Sequence, residues 1–184
     1  MIKIESVEKF INFLSFKKFE VIPRRQFNWD DVLNKTNEQS IFYDSSFIEF
    51  RLECLKGNGI KCLDLSIGIK LENEVVSIIP LFYFEKGKHF ELSFQEGSIY
   101  PPIFINKLSK KIEKELSKVL LDKLIKLFSQ LNLKSPIIAD NLSPSRSLSI
   151  WHKNVMQHAN NCLIIRESFV DFSKDYNVLK SHYR

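Results

Sequence analysis

The spacing of apolar positions changes period several times along the chain, and each change marks an expected element. Val7, Phe10, Ile11 and Leu14 recur at helical spacing within residues 5–15, which predicts a short amphipathic helix, with Pro23 closing this first element. A second helix is expected to begin at Asn28 or Trp29, placing Asp30 and Asp31 at the favourable positive end of its dipole. Ser46 followed three residues later by Glu49 has the spacing of a capping box, so a third helix should run through Arg51 and stop at Gly57 and Gly59.

The period then shortens to two. Leu63, Leu65, Ile67 and Ile69 alternate with Asp64, Ser66, Gly68 and Lys70, as a strand with one buried face requires. Glu72-Asn73-Glu74 is expected to turn the chain into the nearly continuous apolar run from Val75 to Phe84, which suits a strand covered on both faces. Pro80 cannot donate to a ladder and predicts a bulge or an unpaired edge within that run. His89–Phe94 would return as a third antiparallel strand, so residues 61–95 read as a meander.

Helical spacing resumes after Ser109, a suitable cap. Ile112, Leu116, Val119, Leu120, Leu124, Leu127, Phe128 and Leu131 form the longest apolar stripe in the chain, suited to covering a sheet. Pro136-Ile137-Ile138-Ala139 reads as a short buried strand, and Ser143-Pro144 as the start of a helix carrying Leu148, Trp151 and Val155. A further strand is expected over residues 162–172, and a helix capped by Ser173. The expected fold is α/β (α+β): a mixed, largely antiparallel sheet flanked by helices, with no repeat and no internal boundary across 184 residues.

Composition narrows the functional classes. Sixteen Phe and a hydrophobic content of 44% describe a packed core and exclude a disordered chain. The net charge of +5 invites an anionic partner, but the densest basic cluster, Lys107, Lys110, Lys111, Lys114 and Lys118, is interleaved with Glu113 and Glu115 and reads as a solvated helix face. Cys54, Cys62 and Cys162 are odd in number and set among apolar residues, as small core residues are, and no metal-ligand spacing is present. The N-terminus lacks the order of a signal peptide and no apolar run is long enough to span a bilayer, so a cytoplasmic location is expected.

Three stretches, taken in order, resemble the FemAB-like branch of the GNAT superfamily, which includes aminoacyl transferases of peptidoglycan precursors and related glycan-modifying acyltransferases. The first is Ile41-Phe42-Tyr43-Asp44-Ser45-Ser46-Phe47, with Phe47 where Trp is usual in the family. The second is Glu74-Val75-Val76-Ser77-Ile78-Ile79-Pro80-Leu81, with Tyr100-Pro101-Pro102 downstream. The third is Phe169-Val170-Asp171-Phe172-Ser173, followed by Lys180, Tyr183 and Arg184. The resemblance implies a GNAT-like sheet that usually occurs twice in a full-length protein, so residues 1–184 would be the N-terminal portion of a longer chain. Residues 1–39 would then be a helical lead-in, and residues 173–184 the start of a second unit.

By the same resemblance, Arg51 falls where relatives place a basic residue that meets the phosphates of a nucleotide-linked substrate, and Arg184 matches a basic position of the second segment. A guanidinium suits phosphate because its fork of donors is bidentate. An ordinary exposed helix arginine is the competing reading of Arg51. Tyr100 offers a rigid face that could line a groove, or else belongs to an extended segment ending the meander. The implied partners are an anionic nucleotide-linked or glycan substrate and an acyl donor, either aminoacyl-tRNA or acyl-CoA.

A CoA-binding turn would need backbone amides at a helix N-terminus after a Gly-x-Gly/Ala signature. Gly57-Asn58-Gly59 precedes a strand instead and reads as a plain turn, so no cofactor site is expected in this stretch. His89, His152, His158 and His182 have no evident partner, and His152 and His158 fall on different helix faces. Asp140 and Asp171 end predicted strands, where caps account for them. The expected function is therefore the front part of an acyltransferase with unknown catalytic residues; a non-catalytic module of the same fold and, less favoured, a basic nucleic-acid-binding domain are the alternatives.

Overall fold

The computed structural model describes residues 7–16, 18–37, 40–86, 89–94, 97–131, 133, 137–138 and 149–159. The expectations for Ser143-Pro144, Cys162, residues 162–172, Ser173, His182 and Arg184 lie outside them. The architecture is mixed α+β, with antiparallel sheets and helices.

The first helix, α1 (Val7–Leu14), buries Phe10 and Leu14. It ends well before Pro23, which closes a strand the hydrophobic pattern did not predict, β1 (Phe19–Pro23). The lead-in is therefore not wholly helical: β1 pairs antiparallel with β3 (Ile67–Leu71), matching Val21 with Ile69. Five residues with one polar position carry too short a period-two signal to stand out. Arg24–Gln26 forms a single 3₁₀ turn, and α2 (Trp29–Leu33) follows with Asn28 as its cap. The indole of Trp29 donates to the Tyr43 carbonyl at 2.7 Å, and the Tyr43 hydroxyl donates to the Pro101 carbonyl at 2.8 Å. These two bonds tie α2, a second 3₁₀ turn (Ile41–Tyr43) and the Tyr100-Pro101-Pro102 segment into one buried unit.

The expected antiparallel meander is present, but its first hairpin is bent and shared between two sheets. β2 (Cys62–Asp64) pairs with β5 (Phe82–Lys86), and β3 pairs with β4 (Glu74–Ile79). Register is continuous across the break, since Asp64 opposes Phe82 and Ile67 opposes Ile79. Between these pairs Pro80 has no N–H to give, and the Ser66 hydroxyl enters the ladder instead: Leu81 N–H donates to Ser66 Oγ at 3.1 Å. The expectation of an irregularity at Pro80 is met, and its consequence is larger than a bulge. One half of the ribbon joins β1 and β8 (Ile103–Phe104) in the sheet order β1-β3-β4-β8, while the other joins β6 (His89–Ser93) in the order β2-β5-β6. Gly68 lies where β3 meets Phe27; an added Cβ would sit 2.6 Å from that ring.

α4 (Lys110–Leu131) buries Leu116, Leu120, Leu121, Leu124, Leu127, Phe128 and Leu131, as its apolar stripe requires. It leads to β9 (Ile137–Ile138), which pairs in parallel with β7 (Ser98–Ile99), the crossover geometry that an intervening helix permits. The last described helix, α5 (Ile150–Met156), packs on α4 and is capped by Ser149, which accepts from His152 N–H at 2.9 Å. On α4 itself, the Lys123 ammonium donates to the carbonyls of Phe13 at 2.7 Å and Ser15 at 3.1 Å, holding the end of α1.

Candidate functional site

α3 (Ser45–Gly57) positions the site, and its start differs from the capping-box expectation. Asp44 is the cap: its carboxylate accepts from Ser46 N–H at 2.8 Å and Phe47 N–H at 3.2 Å. A carboxylate at the first turn also complements the dipole. Glu49 is thereby released from capping and reaches another partner.

That partner is Arg24, in the 3₁₀ turn after β1. Its guanidinium donates from Nε at 3.0 Å and from Nη2 at 2.9 Å to Asp64 on β2, and Nη2 also donates to Glu49 on α3. The side chains of Arg24 and Asp64 are each only 9% exposed, whereas Glu49 is 54% exposed. Burial acts against the Arg24 charge, but Glu49 and Asp64 outweigh it and raise the pKa above its ordinary value. Glu49 is held below the usual carboxylate range, chiefly by its hydrogen bond to Arg24. Ser66 N–H satisfies the second Asp64 oxygen at 3.0 Å. This triad fastens α3 to the hairpin.

A different face of α3 carries Arg51. Helical spacing puts Phe47, Phe50, Arg51 and Cys54 side by side, while Ile48 and Leu52 face the core. Arg51 is half-buried, and its Nε is enclosed without a hydrogen-bond partner among the described residues. Leaving such a donor unsatisfied costs on the order of 1–3 kcal/mol, a cost that an incoming acceptor would remove. Next to it on α3, Phe50 is 59% exposed, and Ile41, in the 3₁₀ turn before α3, is 60% exposed.

The aromatic rings continue from there to Tyr100. Phe50 lies 6.2 Å from Phe47, Phe47 lies 5.6 Å from Phe42, and Phe42 lies 4.9 Å from Tyr100. Tyr100 in turn meets Phe94 edge-on at 5.6 Å, and Phe94 packs on Phe82 at 5.1 Å. The aromatic cluster thus runs from Tyr100 to Phe47 and Phe50, which share a face of α3 with Arg51 by helical spacing. Arg184 lies outside the described residues. Phe42, Phe47 and Phe50 were not singled out as site residues, although the helical spacing of Phe47, Phe50 and Arg51 was there to be read.

The remaining candidates separate. Gly57-Asn58-Gly59 ends α3 as an ordinary turn: Asn58 N–H donates to the Cys54 carbonyl at 3.1 Å and Gly59 adopts φ +70. Cys62 is a half-buried thiol whose pKa burial pushes up to about 11, which keeps it protonated and unreactive. His158 stands 3.8 Å from Asp122, away from the aromatic cluster. Among the described residues, no group of three or more His, Cys, Asp or Glu side chains could hold a metal ion, and no helix is long and apolar enough to cross a membrane. No protein-family model, curated protein or solved structure matches the chain.

Proposed function

We propose that the chain is the substrate-binding front part of a FemAB/GNAT-like acyltransferase. The enzyme would transfer an aminoacyl or acyl group, from aminoacyl-tRNA or acyl-CoA, to an amine of a nucleotide-linked cell-wall or surface-glycan precursor. The carrying observation is the enclosed Nε of Arg51, unpaired among the described residues, next to the exposed ring of Phe50. A phosphate supplies the missing acceptor, and the charge-assisted bond is among the stronger kinds. Phe50 offers an open face for a planar or apolar part of the same ligand, and Tyr100 supports the cluster from behind.

Support for the GNAT-like reading comes from the order of elements: antiparallel strands, then the long helix α4, then a strand that pairs in parallel. In the reaction, the acceptor amine attacks the acyl carbonyl, a tetrahedral oxyanion forms, and its collapse expels the donor's oxygen or sulfur, which takes up the proton lost by the amine. The site described here would hold the acceptor in place for that attack.

The test is a titration with a nucleotide-linked muropeptide against acyl-CoA. The muropeptide should bind, and Arg51→Ala should weaken it about tenfold to a hundredfold, the range for a hydrogen bond to a charged group. Unchanged affinity in Arg51→Ala would remove the phosphate contact and the reading built on it.

A further inference from the structure

The lysines of α4 do not behave as an interleaved, self-neutralising face. Glu115 could meet Lys111 or Lys118 within the helix, yet its carboxylate pairs with Lys18, from the segment before β1, at 2.7 Å. Glu113 is mostly covered and is taken by Lys110 at 2.8 Å. Asp122, one turn after Lys118, lies toward His158. Lys111, Lys114 and Lys118 are therefore exposed on one side of the helix with no ion pair among the described residues, and exposed Lys107 lies just ahead of them.

These charges do nothing evident for the fold. Lys111 and Lys114 occupy the first turns of α4, where the positive end of the helix dipole repels cations. Locally unfavourable charges with no internal partner point to an external one.

The chemistry of the stripe selects among polyanions. Every cation is a lysine, a mobile point charge without the planar fork that reads phosphates individually. The large exposed hydrophobics among the described residues are Ile41, Phe50 and Met156, so no aromatic on α4 is placed to stack a base. A convex helix side bearing flexible point charges fits a broad, diffuse anionic plane better than a strand threaded along a groove. We infer that the outer face of α4, centred on Lys111, Lys114 and Lys118, docks the protein reversibly on an anionic lipid surface. Such a contact acts through charge within about 10 Å of the headgroups and needs no inserted segment.

This surface is separate from the Arg51 site, and its test reads lipid binding alone. Vesicles of phosphatidylcholine containing a quarter phosphatidylglycerol should co-sediment the protein, pure phosphatidylcholine vesicles should not, and raised salt should release it. The combined variant Lys111→Ala, Lys114→Ala, Lys118→Ala should lower partitioning about a hundredfold, roughly fivefold per lysine. Alanine preserves helix propensity, so circular dichroism should show the helices intact. Removing three exposed lysines elsewhere, Lys56, Lys61 and Lys153, should have a much smaller effect. Absence of binding to the anionic vesicles, or an equal loss in both triple variants, would overturn the proposal. So would a stripe variant that loses binding to a uridine homopolymer while its vesicle binding is unchanged.

Discussion

Arg24, bonded to Glu49 of α3, and Arg51, on α3 itself, have opposite fates. Arg24 is buried among carboxylates on two other elements, with hydrogen bonds from Nε and Nη2. Arg51 sits on the neighbouring helix face with an enclosed Nε that has no hydrogen-bond partner among the described residues, and with the exposed Phe50 next to it. The difference teaches how to separate a structural arginine from a binding one. A buried charge paired with internal carboxylates serves the fold, whereas an incompletely paired donor at a surface margin leaves a role for a ligand.

Removing the structural member should produce the largest effect. Arg24→Ala leaves Asp64 buried and uncompensated, and should cost about 3–5 kcal/mol in urea denaturation. A loss below about 1 kcal/mol would show that the triad does not fasten α3 to the hairpin.

Steric crowding should come next. Gly68→Ala forces a Cβ to within 2.6 Å of the Phe27 ring and should destabilise by about 1–3 kcal/mol, seen as a lowered Tm, with Phe27→Leu recovering part of the loss. This tests whether the hairpin, rather than α3, sets the tolerance of the region.

Glu49→Gln should cost less, on the order of 1 kcal/mol or below, because its carboxylate is half in water and screened. Its folded-state pKa lies below the ordinary value of 4.5, so its contribution is present above that value and is lost as pH falls through the folded pKa. Wild type and Glu49→Gln should therefore differ in urea midpoint at pH 7 and converge as the pH falls from 4.5 through the folded-state pKa of Glu49. A difference that persists there would assign the effect to packing instead.

The smallest stability change belongs to Arg51→Met. Replacing a half-buried, unpaired guanidinium by an apolar side chain should be neutral within about 0.5 kcal/mol, or slightly stabilising, while ligand affinity falls. If Arg51→Met destabilises as much as Arg24→Ala, the two arginines share a structural role and the comparison fails.

Most helices were readable because their causes are local. The stripe from Ile112 to Leu131, the cap at Asn28 and the stop at Gly57-Asn58-Gly59 depend on residues within a few positions of one another. The start of α3 was misassigned because Asp44 and Ser46 both carry capping chemistry, and Glu49 satisfied the capping-box spacing while serving Arg24. Of the candidate site, Arg51 and the rings at Phe47 and Phe50 were adjacent in the sequence pattern. The approach of Tyr100, which is distant along the chain, was not.

Sequence alone therefore determined the periods, most turns and helix ends, and with them the mixed α+β class, because those depend on interactions across one helical turn or one hairpin. Tertiary structure decided which sheet each half of the hairpin enters, since Ser66 and Pro80 set the break but the available partners, β1 and β8 or β6, come from elsewhere in the chain. It also decided the fate of each arginine. Asp64 lies 40 residues from Arg24 and Glu49 lies 25, and Coulombic pairing in a low-dielectric interior depends on distance in space, which separation along the chain does not encode.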